Sequence, residues 1–465
     1  MLRSPVVWVV VGILLLASPA PAAEVAAARV KGEMIDEPAA DPSESAASAE
    51  QRRLMEEFHK AQALERGNLA AVRETAAFRE VRSISAPATA GKVLAFAPLP
   101  TGGLVIATGP SDGYGERSLV GTMASLLGLT SKQPPPSPTK QLVWLDASGA
   151  AERSAPLPFS CKGVTVAPDG AIVAVGDDRV AVFSATGEPI AEATAPHFQL
   201  TKEEQATLAE EIAEQHRERM EMQREQLDRY VRAKADLEAI PEAERTPRQV
   251  AELAEATARA RLYEASMNIE ASVTENHQAA EVVVAAALAD ARTIHRVAAS
   301  REHLFLVARE PIGYGYGIWR CGRDFSAPEK IVAGLRGCCG QMDVQVVGDE
   351  LVVPENGRHH VAVYGFDGGL RRTFGEASRT DFRQGFGGCC NPMNACPGPD
   401  GTMLLSESNG LVKHFAADGT LVEILGAADV PSGCKNSSIG LSTDGTTLYY
   451  LDVEKGRVLV LEKKS

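Results

Sequence analysis

The chain is short of several things, and each shortage removes a class of function. Beyond Val6 to Ala17 it has no long apolar run, so nothing later approaches the roughly 20 residues that a membrane-spanning helix needs. It has no surplus of basic residues. The formal net charge is −14, and an acidic surface opposes nucleic acid and anionic membranes. Its 8 cysteines include no Cys-x-x-Cys-His haem site and no paired Cys-x-x-Cys motif. The Gly-rich stretch Gly313 to Gly317 lacks the following helix that phosphate binding needs, and reads instead as an aromatic hairpin. Histidine is sparse and scattered, as His295, His303 and His414. The adjacent His359 and His360 start a strand, where alternation sends their rings to opposite faces. No recognisable catalytic set emerges, and a binding role is expected ahead of an enzymatic one.

What is present begins with an export signal. Arg3 supplies a basic start, Val6 to Ala17 the apolar core, and Ala20-Pro21-Ala22 the small residues before cleavage near Ala22 or Ala23. Residues 1–23 therefore read as a signal peptide, with an uncleaved anchor as the alternative, and the expected location is periplasmic or extracellular. Residues 24–50 are rich in Ala, Glu, Pro and Ser and cannot bury enough surface to offset ordering, so a flexible tether is expected. Within 51–77, Leu54, Phe58, Ala61, Leu64, Leu69 and Val72 have helical spacing.

From residue 78 onward the chain repeats. Gly387 to Gly426 reads as four short apolar runs separated by Pro399-Asp400-Gly401, Asn409-Gly410 and Asp418-Gly419, each a turn signal. Similar units start at Cys338 and Cys434. A period of about forty residues with four strands per copy is the signature of a propeller blade. Six copies result: Val93 to Pro156, Cys161 to Ala195, Ile294 to Leu335, Cys338 to Gly375, Cys389 to Gly426 and Cys434 to Lys464. Five or seven would follow from a miscounted strand set in the first or third copy. The last copy holds three strands, so Phe78 to Ile84, which alternates apolar and polar, is expected to supply the fourth and cover an otherwise open edge.

Residues 200–292 break the pattern. They are rich in Ala, Glu, Arg and Gln, with Leu208, Ile212, Leu227, Val231 and Leu237 at near-heptad spacing and an interruption from Pro241 to Pro247. Thr201 with Glu204 makes a capping box, and Thr246-Pro247 a second helix start. An antiparallel α-helical hairpin inserted between blades two and three is expected, each arm roughly 60 Å long. Propeller segments 78–199 and 293–465 flank it.

The copies resemble NHL-repeat β-propellers on the Pro168-Asp169-Gly170 and Pro399-Asp400-Gly401 turns, and on the acidic residues Asp178, Glu355, Glu407 and Asp452 that end the second strands. Asp178-Arg179, Glu355 with Arg358, and Asp452 with Arg457 complete that pattern. The start Gly388-Cys389-Cys390-Asn391-Pro392 is similar to that of exported bacterial propellers with no defined activity. The resemblance covers blade one poorly and the insertion not at all, and it implies no substrate. An acidic residue flanking a tight turn with an arginine can pair across it and fix the hairpin.

Aligned on their first turns, four copies place cysteine at the entry to the innermost strand: Cys161, Cys338-Cys339, Cys389-Cys390 and Cys434. Blades four and five continue as Met342-Asp343 and Met393-Asn394. Innermost strands line the axis, so these groups are expected around one channel mouth. Sulfur ligands suit a soft transition metal. Exported cysteines also form structural disulfides between neighbouring blades; inert thiols are the third possibility. Cys321 and Cys396 fall inside predicted strands. Tyr314 and Tyr316, with Asp343 and Asn394, are candidate binding residues. The leading functional reading is an exported propeller scaffold that engages a protein or other macromolecule through one face and the helical arm, with self-association through the hairpin as one route. The alternative is a metal-binding or redox protein centred on the channel-mouth cysteines.

Overall fold

Turn residues that tolerate left-handed backbone recur at the expected intervals, and between them the chain forms short antiparallel strands. Gly410 (φ +95°) and Gly419 (φ +91°) stand at two such corners; a Cβ at Gly419 would lie 2.4 Å from the Phe374 ring, so both backbone angle and space require glycine there. In a computed structural model of the chain, residues 67–87, 90–110, 138–274, 279–313, 315–338, 341–378, 381–388, 390–431 and 437–464 are described, without the side chains of 265–282. The expected signal, tether and first helical segment through residue 66 lie outside them.

Two compact units are present. Among the described residues, one comprises Gly67–Leu208 with residues 285–464, the other Ala209–Val284. The first unit is mainly β and contains six four-stranded antiparallel sheets. Five of the sheets use consecutive strands: Lys92–Pro98 through Ala151–Pro156, Gly163–Val166 through Pro189–Thr194, Ile294–Ala299 through Glu329–Leu335, Gln345–Val347 through Leu370–Phe374, and Asn394–Pro397 through Leu421–Ala427. The sixth takes Ile439–Leu441, Thr447–Asp452 and Arg457–Lys463 from the end of the chain and Phe78–Ser85 from its beginning. That added strand pairs antiparallel with the last, Phe78 opposite Lys463 and Ile84 opposite Val458, with one register shift between Glu80 and Arg82.

The core is divided among the seams between sheets. One apolar cluster joins the first and second sheets through Trp144, Phe159 and Ile172. Others join second to third, third to fourth, fourth to fifth and fifth to sixth. A further cluster, with Phe96, Ile106, Tyr449 and Val460, joins the sixth back to the first. Each sheet thus buries both faces against its neighbours, and the cycle of contacts is complete, as in a six-bladed propeller. The second strands are accordingly apolar on both faces, as in Ile172–Gly176, while the outermost strands, such as Ala151–Pro156, are largely exposed.

The insertion between the second and third sheets is helical: Lys202–Glu238, Pro247–Thr274 and Ala279–Arg292. Its first two starts are reciprocal capping boxes. Thr201 N–H donates to Glu204 Oε2 at 2.7 Å and Glu204 N–H to Thr201 Oγ1 at 3.2 Å; Thr246 and Gln249 repeat the exchange at 2.9 and 3.3 Å. Pro247 follows at the first helical position, where its missing N–H costs nothing. Tyr230 and Tyr263 stack with centroids 5.8 Å apart. Among the described residues no helix is long and apolar enough to cross a membrane.

Phe78 lies buried in the seam between the fifth and sixth sheets. Phe78→Ala is therefore expected to lower unfolding stability by about 3–5 kcal/mol, read by chemical denaturation. A loss under about 1 kcal/mol would mean that the N-terminal strand does not hold this seam.

Candidate functional site at the sheet centre

The innermost strands and the segments leading into them bring four blades onto one cation. Arg296, in the inner strand Ile294–Ala299 of blade three, is buried at 6% exposure. Its guanidinium donates to the Lys162 carbonyl of blade two, and to the Ser437 carbonyl at 3.2 Å and Ser438 Oγ at 3.5 Å, both leading into blade six. Asp343, just ahead of the blade-four inner strand, faces it with Nε 3.8 Å from Oδ1. The Asp343 carboxylate also accepts the Ala395 N–H of blade five at 3.0 Å and Gln345 Nε2 at 3.3 Å. Around this pair, Ser437 Oγ donates to Asn394 Oδ1 at 3.0 Å, and Gln341 Nε2 reaches the Met393 carbonyl at 3.1 Å and the Ser437 carbonyl at 3.4 Å. Arginine suits this position because it offers five donors in a planar fork, enough to serve carbonyls from several directions.

Burial works against both charges. It pushes the Asp343 carboxyl above its usual range, opposed by the nearby guanidinium and by the Ala395 amide. It likewise lowers the Arg296 guanidinium from its ordinary value, opposed by Asp343. The two are compensated by each other and by fixed amides and carbonyls, the condition under which a buried pair is tolerated.

A second ring of polar groups holds the loops that enter the inner strands. Glu355 Oε2 accepts the Arg336 N–H at 2.9 Å and pairs with Arg358 at 2.8 Å, while its other oxygen meets His360 at 3.1 Å. Glu407 accepts the Gly387 N–H at 3.1 Å and forms a fully buried ion pair with Lys413. Lys413 Nζ also donates to the Gly385 carbonyl at 2.7 Å and sits 5.1 Å from the Phe386 ring centre. Asp452 pairs with Arg457 at 3.2 Å. In blade two the clamping residue is Asp177, not Asp178: Asp177 Oδ2 takes the Ser160 N–H at 2.8 Å. Asp178 stays half-exposed and 4.0 Å from Arg179, whose shorter partner is Glu192. The arginine partnership read from the sequence thus holds in blades four and six, and a buried lysine replaces it in blade five.

The sulfur atoms do not gather as one group among the described residues. Cys161, Cys321 and Cys396 belong to three different apolar seams. Burial pushes the Cys161 thiol up to about 12 and the Cys321 thiol up to about 11, and raises Cys396 as well. These groups remain protonated, poorly nucleophilic thiols at neutral pH. Met342 packs in the seam between the third and fourth sheets, and Met393 is fully buried. Cys339, Cys389 and Cys434 lie outside the described residues. One pair does meet: Cys390 Sγ is 3.0 Å from Cys338 Sγ, bridging blades four and five. Among the described residues no three His, Cys, Asp or Glu side chains are placed to hold a metal ion.

Of the candidate binding residues, Asp343 and Asn394 are both at the centre. Tyr316 is not available to a ligand. It is 1% exposed, and its hydroxyl accepts Arg309 Nε at 3.1 Å while the guanidinium lies over its ring. Tyr314 lies outside the described residues. Sequence reading passed over Arg296, Gln341, Ser437 and Lys413. The available signal was a charged residue inside a strand whose neighbours are apolar on both faces, as in Ile294-His295-Arg296-Val297.

The fold is that of a β-propeller, and solved propellers match it at low identity. A streptogramin B lyase structure aligns at a TM-score of 0.37 and 9% identity over 82% of this chain and 97% of that one. The WD40 repeats of RRP9 align at 0.39 and 8% over 83% and 98%. A gluconolactonase from Xanthomonas campestris, XC5397, aligns at 0.38 and 10% over 83% and 98%. No family model matches the chain, and no curated protein matches it in sequence.

Arg296→Ala is expected to destabilise the protein by about 3–5 kcal/mol, because it leaves the Asp343 charge buried without its partner. Replacing both residues, as Arg296→Met with Asp343→Leu, is expected to recover much of that loss. Urea titration of the two variants checks this; additive losses would show that the pair does not act as a unit.

Proposed function

We propose that the protein is an exported propeller scaffold of the NHL type, closed by its N-terminal strand, that binds a protein or other macromolecular partner through one propeller face and the helical insertion. The observation that carries this reading is the surface of the first inserted helix. Lys202–Glu238 runs for 37 residues with Ile212 as its buried side chain, and Met222 and Val231 remain 45% and 44% exposed. A helix of this length with so small a buried face draws little stability from its own domain. Glu214–Arg217 and Lys234–Glu238 ion pairs add only a few tenths of a kcal/mol each. A partner, or a second copy of the chain, would supply the missing cover. The polar groups at the sheet centre support the same reading, since Arg296, Asp343, Asn394 and Ser437 hold one another.

The two ends of the insertion come together, which makes the test clean. His197 Nε2 lies 2.9 Å from the Ala291 carbonyl, and its ring meets Trp319 edge-on at 5.1 Å. Deleting Thr201 to Ala289 is therefore expected to leave a folded propeller by circular dichroism and thermal melting while abolishing partner recovery in a pull-down, or reducing oligomer size by light scattering. Unchanged association after the deletion would count against the arm.

One observation favours a second reading, a metal-binding or redox protein: the approach of Cys338 to Cys390. It expects stoichiometric soft metal or reactive thiols in protein purified anaerobically. Elemental analysis with thiol titration decides, and finding neither removes this reading.

A further inference from the structure

We propose that Cys338 and Cys390 are a reversible dithiol–disulfide pair that fastens blade four to blade five. The proposal rests on the redox half of the second reading and selects its chemistry. The sulfurs are 3.0 Å apart. Two thiolates on one tetrahedral zinc, each about 2.3 Å from the metal, would stand roughly 3.8 Å apart. A disulfide requires about 2.05 Å, so closure asks for a movement of about 1 Å along the line joining the sulfurs.

Both cysteine loops are held from behind, which keeps the sulfurs facing each other. Cys338 N–H donates to Asn356 Oδ1 at 2.6 Å, and the preceding Arg336 N–H is taken by Glu355. On the other side Asn391 Oδ1 accepts the Ser408 N–H at 2.7 Å, and Gly387 N–H is taken by Glu407. The clamping carboxylates and the sulfur pair are thus two parts of one arrangement. The partners are also unequal. Cys390 is 1% exposed, whereas Cys338 is only partly covered. Exposure makes Cys338 the sulfur that meets an external disulfide.

The exchange balances with a small disulfide such as oxidised glutathione. The Cys338 thiolate attacks one glutathione sulfur and releases the other as a thiolate, forming a mixed disulfide. Cys390, giving up its proton, attacks Cys338 Sγ and expels the second glutathione. Two protein thiols are oxidised by two electrons, one disulfide is reduced to two glutathione thiols, and both protons pass to the thiols released. The new bond closes a span of 52 residues, which restricts the unfolded chain and stabilises the folded one.

Trypsin places Cys338 in the peptide of residues 337–358 and Cys390 in that of 384–413. The experiment uses the full chain carrying Cys339→Ser and Cys389→Ser, treated with oxidised glutathione, alkylated and digested without reduction. The expected product is these two peptides joined, lighter by two hydrogens than the separate thiols, with fragmentation locating the bond at Cys338 and Cys390. Dithiothreitol should separate them and lower the melting temperature, and adding Cys338→Ser should abolish the product. Should the serine background fail to fold, the same digest on the unaltered chain, with fragmentation to site the bond, gives the answer. No joined product, or a bond from Cys338 to another sulfur, overturns the proposal. Stoichiometric metal that protects both thiols from alkylation also overturns it, while leaving the metal half of the second reading standing.

Discussion

The structure turns on one guanidinium. Six sheets packed in a cycle bring six inner strands to a common centre, where backbone carbonyls and amides near the strand starts have no ladder partner. Apolar side chains there would leave those groups buried and unsatisfied, at a cost of about 1–3 kcal/mol each. Arg296 answers several at once, reaching Lys162, Ser437 and Ser438 from one position. Asp343 then serves two purposes, as counter-charge to Arg296 and as acceptor for the Ala395 amide of the next blade. The seams between sheets are apolar and nearly interchangeable. The centre is polar and specific, and it fixes which blades face one another.

The same division recurs in the loops. Apolar packing of the Val and Leu positions would tolerate small shifts of one sheet on another, because dispersion and burial are not directional. Hydrogen-bonded carboxylates do not. Asp177, Glu355 and Glu407 each capture a backbone N–H from the segment that leads into the inner strand. Each clamp is reached from the end of a second strand, so one residue type at one position sets the entry of its own blade. Glu407 carries the heaviest demand, since its partner Lys413 is buried too. Lys413 meets that demand with the Gly385 carbonyl and the Phe386 ring as further neighbours.

This division explains how much could be read from residues in a row. Blades were legible because a strand's period and a Gly-containing turn are local: Asp418-Gly419 and Pro399-Asp400-Gly401 announce corners within a few residues of the strands they join. The Thr201 and Thr246 caps were legible for the same reason. The centre was not, because it assembles residues about 40 to 140 apart in sequence, and nothing beside Arg296 in the chain announces Ser437. Cysteine alignment named loops in which Cys338 and Cys390 meet across blades four and five, while Cys161 packs in the apolar seam between the first and second sheets. In blade two the pattern named Asp178, which lies 4.0 Å from Arg179, and missed its neighbour Asp177, which takes the Ser160 N–H.

The helical insertion fits this logic because its two ends return to one place. A long insertion perturbs its host little when the entropy of closing it is already met by its own structure, and here capping boxes start its helices while His197, Trp319 and Ala291 hold its root. Burial brings the His197 imidazole down to about 4, so it stays neutral at ordinary pH and bonds as an uncharged ring. Asp290 of the inserted segment pairs with Arg309 at 3.2 Å and lies 3.8 Å from His295 of blade three, while the clamps Asp177, Glu355 and Glu407 come from the propeller segments. Arg296, Asp343 and the loop clamps thus hold the inner strands from within the propeller segments, and the insertion meets blade three through Asp290, and His197 through Ala291, at its root.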